Sequence, residues 1–488
     1  MPKISVIMPS LNVAPYIREC MDSVICQTLN DLEILCIDAG STDGTREILE
    51  EYAGKDARIR LIESDKKSYG YQMNLGLEAA AGEYIGIVET DDFIFPEMFE
   101  ELYACAKEQD ADFVKSDFDV FTTFSDDRRF FLRYPLKMGS SVKYDQIFTT
   151  ADYLESMQSI DVFIWNGIYK KEFLQNNQIR FQETPGAAFQ DCGFRYQIAL
   201  CVQRGYFLSR SFYCYRRDNI TSSTYNSNSV LYNLAECRNL LHEVQKRGAE
   251  REQMEFLARE IAVIAHRPYI ELLTWGSPAE GTKEALEEFR VLLKDFMEQG
   301  ILNSSTVTEE MWLEIKMFVE QPKLYDSYAH FQAKVKAESL GEFLDMAAAQ
   351  KEIVLFGSGY KGACVYCLLR NNGVNHIAAF SDNNKKKWGS LYLGHKVEAP
   401  EDAVRNHSEA LFLIVCGGYS ADVQRQLRGY GLPKERALIY RWTDIPMDCT
   451  NMVVKAFHSK HLGRNIYADK TNAYGEYGGG AGAASGRL

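Results

Sequence analysis

The sequence predicts an α/β protein in which two strand–helix regions are joined by a helical one. In roughly the first 110 residues, short apolar runs alternate with segments of helical periodicity. From Ser229 to Gln350 apolar residues recur at spacings of three and four, and a second strand, glycine turn and helix begin at Lys351. Such alternation implies a mainly parallel sheet with right-handed crossovers. The predicted parts are an α/β domain, a helical region, a small second α/β domain and a partly disordered tail, at 1–228, 229–349, 350–445 and 446–488.

Each N-terminal element has its own local signal. Four continuous apolar runs bounded by turns predict strands, and the amphipathic segments between them predict helices. One helix opens at Pro96, because proline is favoured in the first turn of a helix. The predicted strands are 3–9, 32–38, 59–64 and 83–89, and the predicted helices are 16–26, 45–52, 71–81 and 96–109.

The rest of the chain is less regular until the central helices begin. Residues 110–225 are rich in aromatic side chains and contain one clear helix after Asp191. The breaks "TWGSPAEGT" and "QGILNSS" divide the later helical pattern into separate helices. The sequence ends in "YGEYGGGAGAASGRL", whose glycine, alanine and serine content predicts disorder.

Composition and charge exclude several classes of function. Hydrophobic residues make up 46% of the chain and charged residues 25%, as in ordinary globular proteins. The formal net charge of −14 argues against a nucleic-acid partner, because phosphate backbones are bound by basic surfaces. The chain shows no secretory signal, no membrane-spanning run and no disulfide framework among its twelve cysteines. We therefore expect a cytoplasmic protein, at most associated with the inner face of the membrane.

The distribution of histidine narrows the chemistry. The first of the eight histidines is His242, so the N-terminal domain contains none. A proton transfer in that domain must use a carboxylate, lysine, tyrosine or cysteine. A metal ion there would be held mainly by oxygen, which favours Mg²⁺ or Mn²⁺ over zinc.

Acidic residues stand at the exits of two predicted strands. "CIDAGSTDGT" ends a buried run on Asp38, and the small polar residues after it can cap the next helix, although capping does not explain Asp38 itself. "YIGIVETDDFIFPE" places Glu89, Asp91 and Asp92 within four residues. Adjacent carboxylates repel one another unless a cation shares them. The pattern predicts a nucleotide-diphosphate site in which a metal bridges acids and phosphates, with a solvated turn as the alternative.

The first 225 residues resemble family 2 glycosyltransferases of the GT-A fold. The resemblance rests on "SVIMPSLNVAPYIRECMDSVICQTLNDLEILCIDAGSTDGT" followed by "NLGLEAAAGEYIGIVETDD". It implies an inverting enzyme that takes a sugar from a nucleotide donor. The residues that it places around the nucleoside are Pro9, Ser10, Asn12 and Asp38. The ligands that it implies for Mg²⁺ or Mn²⁺ with the donor diphosphate, at the family's D-x-D motif, are Glu89, Asp91 and Asp92.

The same resemblance extends to the end of the domain. "FQDCGF" matches the family's E-D-x-x-F pattern, with Gln190 in place of the glutamate, and implies that Asp191 is the catalytic base; a helix cap is the structural alternative. "CYRRDNITSST" matches a segment near the end of such domains, so Arg216 and Arg217 are expected to reach the diphosphate. Asn74 is a further candidate for lining the donor pocket, with packing on a helix face as the alternative.

Two positions depart from the family pattern. Ala39 stands where a second acid is common, which leaves the base of the donor open. Glu89 stands where aspartate is usual, so its longer side chain shifts the metal or leaves it to Asp91 and Asp92.

The C-terminal unit carries its own glycine motif. Gly357, Gly359 and Gly362 form G-x-G-x-x-G between a strand and a helix, and Asp382 follows twenty residues later at the next strand end. This spacing is that of a dinucleotide-binding fingerprint. The unit resembles the small Rossmann-like domains appended to some bacterial glycosyltransferases and sugar-modifying enzymes. Both a bound NAD or nucleotide and a scaffold without ligand remain open, and we favour the scaffold.

Together these patterns predict a metal-dependent glycosyltransferase acting in bacterial surface polysaccharide or glycolipid synthesis. Its expected partners are a nucleotide-diphospho-sugar donor and a carbohydrate or lipid-linked acceptor. The alternative is an NAD-dependent oxidoreductase or sugar-nucleotide-modifying enzyme centred on the C-terminal unit, which leaves the N-terminal acids unexplained. A nucleotidyltransferase would favour a glycine-rich, lysine-bearing loop where "PSLNVAPY" stands. The helices of 230–345 are candidates for a homo-oligomer or a membrane-surface contact.

Overall fold

The computed structural model divides the chain into two compact units, Met1–His330 and a second that begins at Phe331. The boundary predicted at 228 lies inside the first unit. The tail predicted to be disordered, 446–488, lies outside the described residues. The structure describes residues 1–123, 129–136, 143–156, 163–187, 189–217, 219, 227–275, 278–416 and 419–440.

The first unit is built on a mixed β-sheet. Its strands are β1 Ile4–Ser10, β2 Leu32–Asp38, β3 Ile59–Glu63, β4 Tyr84–Ile87, β5 Phe93–Ile94, β6 Phe113–Thr123, β7 Arg129–Tyr134, β8 Ile147–Phe148, β9 Gly167–Lys170 and β10 Gly205–Arg216. They lie in the order β3-β2-β1-β4-β9-β6-β10-β5, with β7 beside β6 and β8 beside β10. The first four are parallel, as predicted, but β9 runs antiparallel to both β4 and β6. The sheet is therefore parallel on one side of β4 and mixed on the other.

Among the described residues, seven helices precede β10, and five of them lie where the sequence predicts a helix; the two short ones within 150–176 are not predicted. The helices up to β10 are α1 Ala14–Ile25, α2 Thr45–Ala53, α3 Tyr69–Ala79, α4 Met98–Gln109, α5 Thr150–Ser156, α6 Lys171–Asn176 and α7 Gln190–Cys201. All seven residues of β1 are buried, which is the pattern of a strand covered on both faces. In α1 the buried residues are Ile17, Cys20, Met21 and Val24, at the three- and four-residue spacing of one helix face.

The central region is helical, as predicted. Its helices are α8 Ser229–Arg247, α9 Arg251–Trp275, α10 Thr282–Glu298, α11 Glu309–Glu320 and α12 Pro322–Ala348. α8 buries Leu234, Cys237, Leu240 and Val244 and packs on α7, α9 and α10. These contacts explain why the first unit extends past residue 228. Within the described ranges, the structure contains no helix that is both long and apolar enough to cross a membrane.

The second unit contains a smaller sheet with the strand–turn–helix order expected from its glycine motif. Its strands are β11 Ile353–Phe356, β12 Ile377–Ser381, β13 Leu391–Tyr392, β14 His395–Glu398, β15 Leu411–Ile414 and β16 Ala437–Ile439, and its helices are α13 Tyr360–Asn371, α14 Pro400–Asn406 and α15 Ser420–Gly429. The sheet order is β13-β14-β12-β11-β15-β16, and β11 pairs in parallel with β12 and β15. The glycine turn therefore leaves the middle of a parallel sheet.

Candidate active site

The carboxyl ends of β1 and β2 form one side of the candidate site. Ser10 is in register with Asp38, so the two residues reach the same edge of the sheet. Gln72 of α3 fixes this edge, because its Nε2 donates to the carbonyls of Ser10 at 3.0 Å and Ile37 at 2.7 Å. The Ser10 hydroxyl is buried and has no hydrogen-bond partner among the described residues. A buried polar atom of this kind is one that a bound ligand or water can satisfy.

The residues after β1 join this edge to its neighbours. The Pro9 carbonyl accepts a 2.8 Å hydrogen bond from the Thr90 hydroxyl, which ties β1 to the exit of β4. Asn12 has a left-handed backbone with φ 55°. Its Oδ1 accepts from the Thr42 N–H at 2.9 Å, and its own N–H donates to the Ser41 hydroxyl at 2.9 Å. The two predicted nucleoside-binding loops are thus connected to each other.

The stretch "CIDAGSTDGT" uses its acids to build the turn itself. Asp38 is 1% exposed, and its carboxylate accepts from the N–H groups of Gly40 and Ser41 at 3.1 Å each and from the Ser41 hydroxyl at 2.5 Å. Asp43 accepts from the first backbone N–H of α1 at 2.9 Å and of α2 at 3.0 Å. Gly40 supplies the left-handed conformation that the turn requires, with φ 77°. Asp38, predicted as a donor ligand, therefore shapes the loop through its hydrogen bonds.

The acids after β4 differ in what surrounds them. Glu89 accepts a 2.6 Å hydrogen bond from the hydroxyl of Tyr69, at the start of α3. Asp92 is 1% exposed, and its two oxygens accept from the Tyr213 hydroxyl and the Arg216 N–H, both at 2.7 Å. Asp92, predicted as a metal ligand, is in this structure a buried link between the β4 exit and the end of β10.

The end of β10 packs against the remaining acid of this group. Asp91 is half-buried and accepts from the Asn219 amide at 2.8 Å. Arg216 is 7% exposed, and its guanidinium donates to the Asp91 carbonyl at 2.6 Å and to Glu19 at 2.7 Å. Arg217 donates to the Tyr215 hydroxyl at 3.1 Å. The two arginines expected at the diphosphate thus both contact protein groups, and Arg216 braces the acidic loop.

Burial favours the neutral form of the acids in this part of the site. It raises the pKa of Glu89 to about 8; the Tyr69 hydroxyl opposes the shift, and the charges of Asp91 and Asp191 add to it. Burial and the neighbouring Asp91 also raise the pKa of Asp92 well above its ordinary value, against the opposing hydrogen bonds from the loop. Clustered acids with raised pKa values are a common mark of a functional site.

Asp191 lies in the first turn of α7, two residues after Phe189, whose backbone is left-handed with φ 66°. Its carboxylate accepts from the Cys192 N–H at 3.0 Å. Burial raises the pKa of Asp191, while that N–H and the positive charge of Arg195 oppose the shift. A half-buried carboxylate of raised basicity at a helix start is suited to general base chemistry.

The segment before α7 is held on α3, and this places Asp191 beside the β4 acids. The Asn74 amide donates to the Phe181 carbonyl at 2.9 Å, and its oxygen accepts from the Phe181 N–H at 3.0 Å. The Tyr69 N–H donates to the Gly186 carbonyl at 2.9 Å. Asn74, predicted in the donor pocket, therefore positions the segment that leads to Asp191. The alternative prediction for Asn74, a packing role on a helix face, agrees better with these contacts.

Sequence reasoning missed several residues that organise the site. They come from segments distant in the chain. Asn219 lies within "CYRRDNITSST", but only the two arginines of that segment are predicted to act in the site, and on α3 only Asn74 is a candidate. The missed residues are Tyr69, Gln72, Tyr213 and Asn219.

Glu89 and Asp91 could hold a divalent cation together with the phosphates of a nucleotide-sugar donor. In the described part of the chain, the structure places no group of three His, Cys, Asp or Glu side chains so that they could hold a metal ion together. Magnesium sites in phosphate enzymes commonly use one or two carboxylates and complete the shell with water and substrate phosphates. Glu89 and Asp91 supply oxygen ligands, so the chemistry of the donor set suits Mg²⁺ or Mn²⁺.

The glycine turn of the second unit is filled by side chains of its own. Asp382 accepts from the Ser358 N–H at 3.0 Å and hydroxyl at 2.6 Å, and from Lys387 Nζ at 3.1 Å. Lys387 Nζ also donates to the Ser358 carbonyl at 2.8 Å, and the Tyr392 hydroxyl donates to the Gly359 carbonyl at 3.1 Å. In a dinucleotide site the acid of this position binds ribose hydroxyls. Here its oxygens are used to hold the turn.

Sequence comparison relates the N-terminal region to known glycosyltransferases. Residues 5–191 match the family described as Glycosyl transferase family 2. The protein of Bacillus subtilis named uncharacterized glycosyltransferase EpsJ is 31% identical over 217 residues, 44% of this chain and 62% of that protein. The cholesterol galactosyltransferase of Borreliella burgdorferi is 31% identical over 215 residues, 43% of this chain and 59% of that protein. The chain spans less than two thirds of the length of these curated relatives.

Structural comparison confirms the predicted class of fold. The crystal structure of S. aureus TarS 1–349 matches with a TM-score of 0.50 and 18% identity, covering 69% of this chain and 92% of that one. At this identity the match shows the fold alone. With the sequence matches, it supports the resemblance of the N-terminal region to GT-A glycosyltransferases of family 2.

Proposed function

We propose that the protein is an inverting glycosyltransferase that moves a sugar from a nucleotide-diphosphate donor to an acceptor hydroxyl in bacterial glycan synthesis. The observation that carries the proposal is the convergence of Glu89, from the exit of β4, and Asp191, from the start of α7, on Tyr69. The Tyr69 hydroxyl donates a hydrogen bond to Glu89. Burial is the main cause of the raised pKa of Tyr69, and the charges of Glu89 and Asp191 add to it. The relatives reported above are named glycosyltransferases, and TarS has been crystallised with UDP-GlcNAc.

In this proposal the nucleoside lies at the carboxyl ends of β1 and β2. The loops of Pro9, Asn12 and Asp38 shape its pocket, and the Ser10 hydroxyl is the buried group left for a ligand hydrogen bond. Arg217 is the arginine we assign to the diphosphate side, since Arg216 is 7% exposed and braces the loop.

The diphosphate is proposed to lie at the β4 exit with a divalent cation. Glu89 and Asp91 are the protein ligands we assign to Mg²⁺ or Mn²⁺, and Asp92 supports their loop through its bonds to Tyr213 and Arg216. A bound cation would supply positive charge to the leaving diphosphate. The chain itself holds the loop that carries these acids, through the hydrogen bond from Tyr69 to Glu89 and the two hydrogen bonds to buried Asp92.

Asp191 is the proposed general base. Its carboxylate takes the proton of the acceptor hydroxyl as the acceptor oxygen bonds to the anomeric carbon. The bond from that carbon to the diphosphate oxygen breaks in the same displacement, and the nucleoside diphosphate leaves with the electron pair. The first 241 residues contain no histidine, so a carboxylate is the natural group for this role.

One experiment tests donor, metal and base together. Purified protein is given a panel of sugar nucleotides with Mn²⁺, and release of nucleoside diphosphate is measured with and without EDTA. We expect turnover with one class of donor, loss in EDTA and recovery with Mn²⁺ or Mg²⁺. Asp191→Asn should keep donor affinity within a few-fold and lower turnover by roughly 10²–10⁴, the usual contribution of a positioned base. Turnover that persists in chelator contradicts the metal role, and full turnover of the variant contradicts the base assignment.

A further inference from the structure

A buried acid outside the matched family segment faces the turn that carries Asp191. Glu236 lies on α8 and is 2% exposed. Its Oε1 has no hydrogen-bond partner within the described residues. A buried carboxyl with an unsatisfied oxygen is costly, so its retention there calls for a role.

Glu236 packs directly on the first turns of α7. A Cβ added at Gly193 would lie 1.6 Å from Glu236 Oε1. Glycine within a helix costs about 1 kcal/mol relative to alanine. The glycine at this position, two residues after Asp191, makes room for the carboxyl group of α8.

The same carboxyl group contacts the segment that precedes Asp191. With its amide oriented so that nitrogen faces α8, Gln182 donates to Glu236 Oε2 at 2.7 Å and to the Ala235 carbonyl at 3.3 Å. The other side of this segment is fixed on α3, where a Cβ at Gly70 would lie 1.8 Å from the Gln182 carbonyl oxygen. Glu236 thus holds both flanks of the Asp191 turn, one through Gln182 and one through Gly193.

The surroundings keep Glu236 neutral at physiological pH. Burial raises its pKa to about 8, and the charge of Asp191 adds to the shift. The other titratable groups that interact with it are the thiols of Cys192 on α7 and Cys237 on α8. A neutral acid can brace the turn without placing a second negative charge beside the proposed base.

We infer that Glu236 is a positioning residue for Asp191, a carboxyl group from the central helices that fixes the α7 turn in its base geometry. The inference rests on the proposed function, since it assigns a role relative to the proposed base. It also extends the active region beyond residues 5–191 and into α8.

The test compares the donor KM and the turnover of variants in the full-length protein. Glu236→Ala should lower kcat by about 10- to 100-fold, because small displacements of a reacting group have effects of this size, and leave donor KM within about threefold. Glu236→Gln preserves shape and neutrality and should recover most of the lost turnover. Leu240→Ala, a buried truncation one turn along α8, should lower Tm while keeping kcat. Gly193→Ala should displace the carboxyl group and lower kcat without removing an acid, which keeps the inference testable if Glu236→Ala fails to fold.

The outcomes separate this inference from the function on which it rests. If Asp191→Asn is inactive but Gly193→Ala and Glu236→Ala turn over like the wild type, the positioning role is wrong and the base assignment stands. Equal losses of kcat in Glu236→Ala, Glu236→Gln and Leu240→Ala would show a general loss of stability and would also overturn it. Full turnover of Asp191→Asn would overturn both the base assignment and the role of Glu236.

Discussion

At the scale of single residues, Glu236 makes a prediction about stability and pH. Its pKa is about 8 in the folded protein against an ordinary 4.5, so between these values the unfolded chain releases a proton that the folded protein keeps. Folding stability therefore falls as pH rises through this window. Glu236→Gln removes the titration, so its Tm should equal that of the wild type at pH 5 and exceed it by several degrees at pH 8.5.

The control for this prediction changes the same charge at an exposed position. Glu252→Gln on α9 also replaces a carboxylate by an amide, but on the surface. Its Tm difference from the wild type should stay constant between pH 5 and pH 8.5. A difference for Glu236→Gln that is equally constant would show that Glu236 is ionised in the folded protein.

The sequence predicts which residues lie near the candidate site better than it predicts what each of them does there. Glu89 and Asp191 were candidates because strand exits and family motifs are local patterns, and the structure brings them together. Asp38 and Asn74 are predicted to meet the donor. In the structure the hydrogen bonds of Asp38 shape its own turn, and those of Asn74 hold Phe181 in the segment before α7. Those contacts join segments up to 107 residues apart, which no local spacing reveals. Glu236 belongs to no recognisable sequence motif, and nothing in the sequence distinguishes Gly193, which it contacts, from other residues of a helix.

At the scale of elements, the sequence predicts the alternation of the first four strands and helices with ends within two residues of those in the structure, since each element has its own periodicity. The sequence does not predict that β9 runs antiparallel to β4 and β6, because this pairing depends on which distant strands meet. The region 110–225 lacked a regular pattern for this reason. Its strands are fixed by the sheet they join more than by their own sequence.

The glycine motif of the second unit makes a prediction about packing. A Cβ at Gly362 would lie 1.8 Å from the Gly357 carbonyl oxygen, a backbone atom that cannot move aside cheaply. Gly359, three residues earlier, has open space at the same position and a φ of −130°. Gly362→Ala should therefore destabilise the unit severely, whereas Gly359→Ala should change its unfolding by less than about 1 kcal/mol. Limited proteolysis and thermal melts of the two full-length variants compare them.

The same pair of variants addresses the dinucleotide hypothesis. Asp382 is bonded to Ser358 and Lys387, so we expect NAD not to raise Tm in the wild type. A ligand present at about 100 times its Kd would add roughly 2.7 kcal/mol. A saturable rise in Tm with NAD that Gly359→Ala abolishes would show that the turn binds the nucleotide and that the scaffold interpretation is wrong.

At the scale of the whole molecule, the position of the first domain boundary carries functional meaning. Composition and periodicity change at residue 228, and the sequence therefore predicted an end there. Packing does not end there, because α8 packs on α7 and buries Cys237 and Leu240. α9 also contacts α7, where the ring of Phe256 lies against that of Tyr196. An amphipathic helix can pack its apolar face on the domain that precedes it in the chain. The sequence predicts that such a face exists but not which surface it covers.

The last prediction compares two truncated forms that end at 228 and 330. The shorter form removes α8 and exposes the apolar side of α7 together with Gly193, so we expect it to aggregate or to bind a dye for exposed hydrophobic surface. The longer form ends with the first compact unit, Met1–His330, so it keeps α1 to α11 and leaves out the part of α12 that packs in the second unit, where Phe343 contacts Tyr440. It should be monodisperse by size-exclusion chromatography, give a cooperative melt and release nucleoside diphosphate within about threefold of the full-length rate, since such a difference is under 1 kcal/mol. A shorter form that folds and turns over normally would show that the catalytic domain ends at 228 and that α8 contributes nothing to the site.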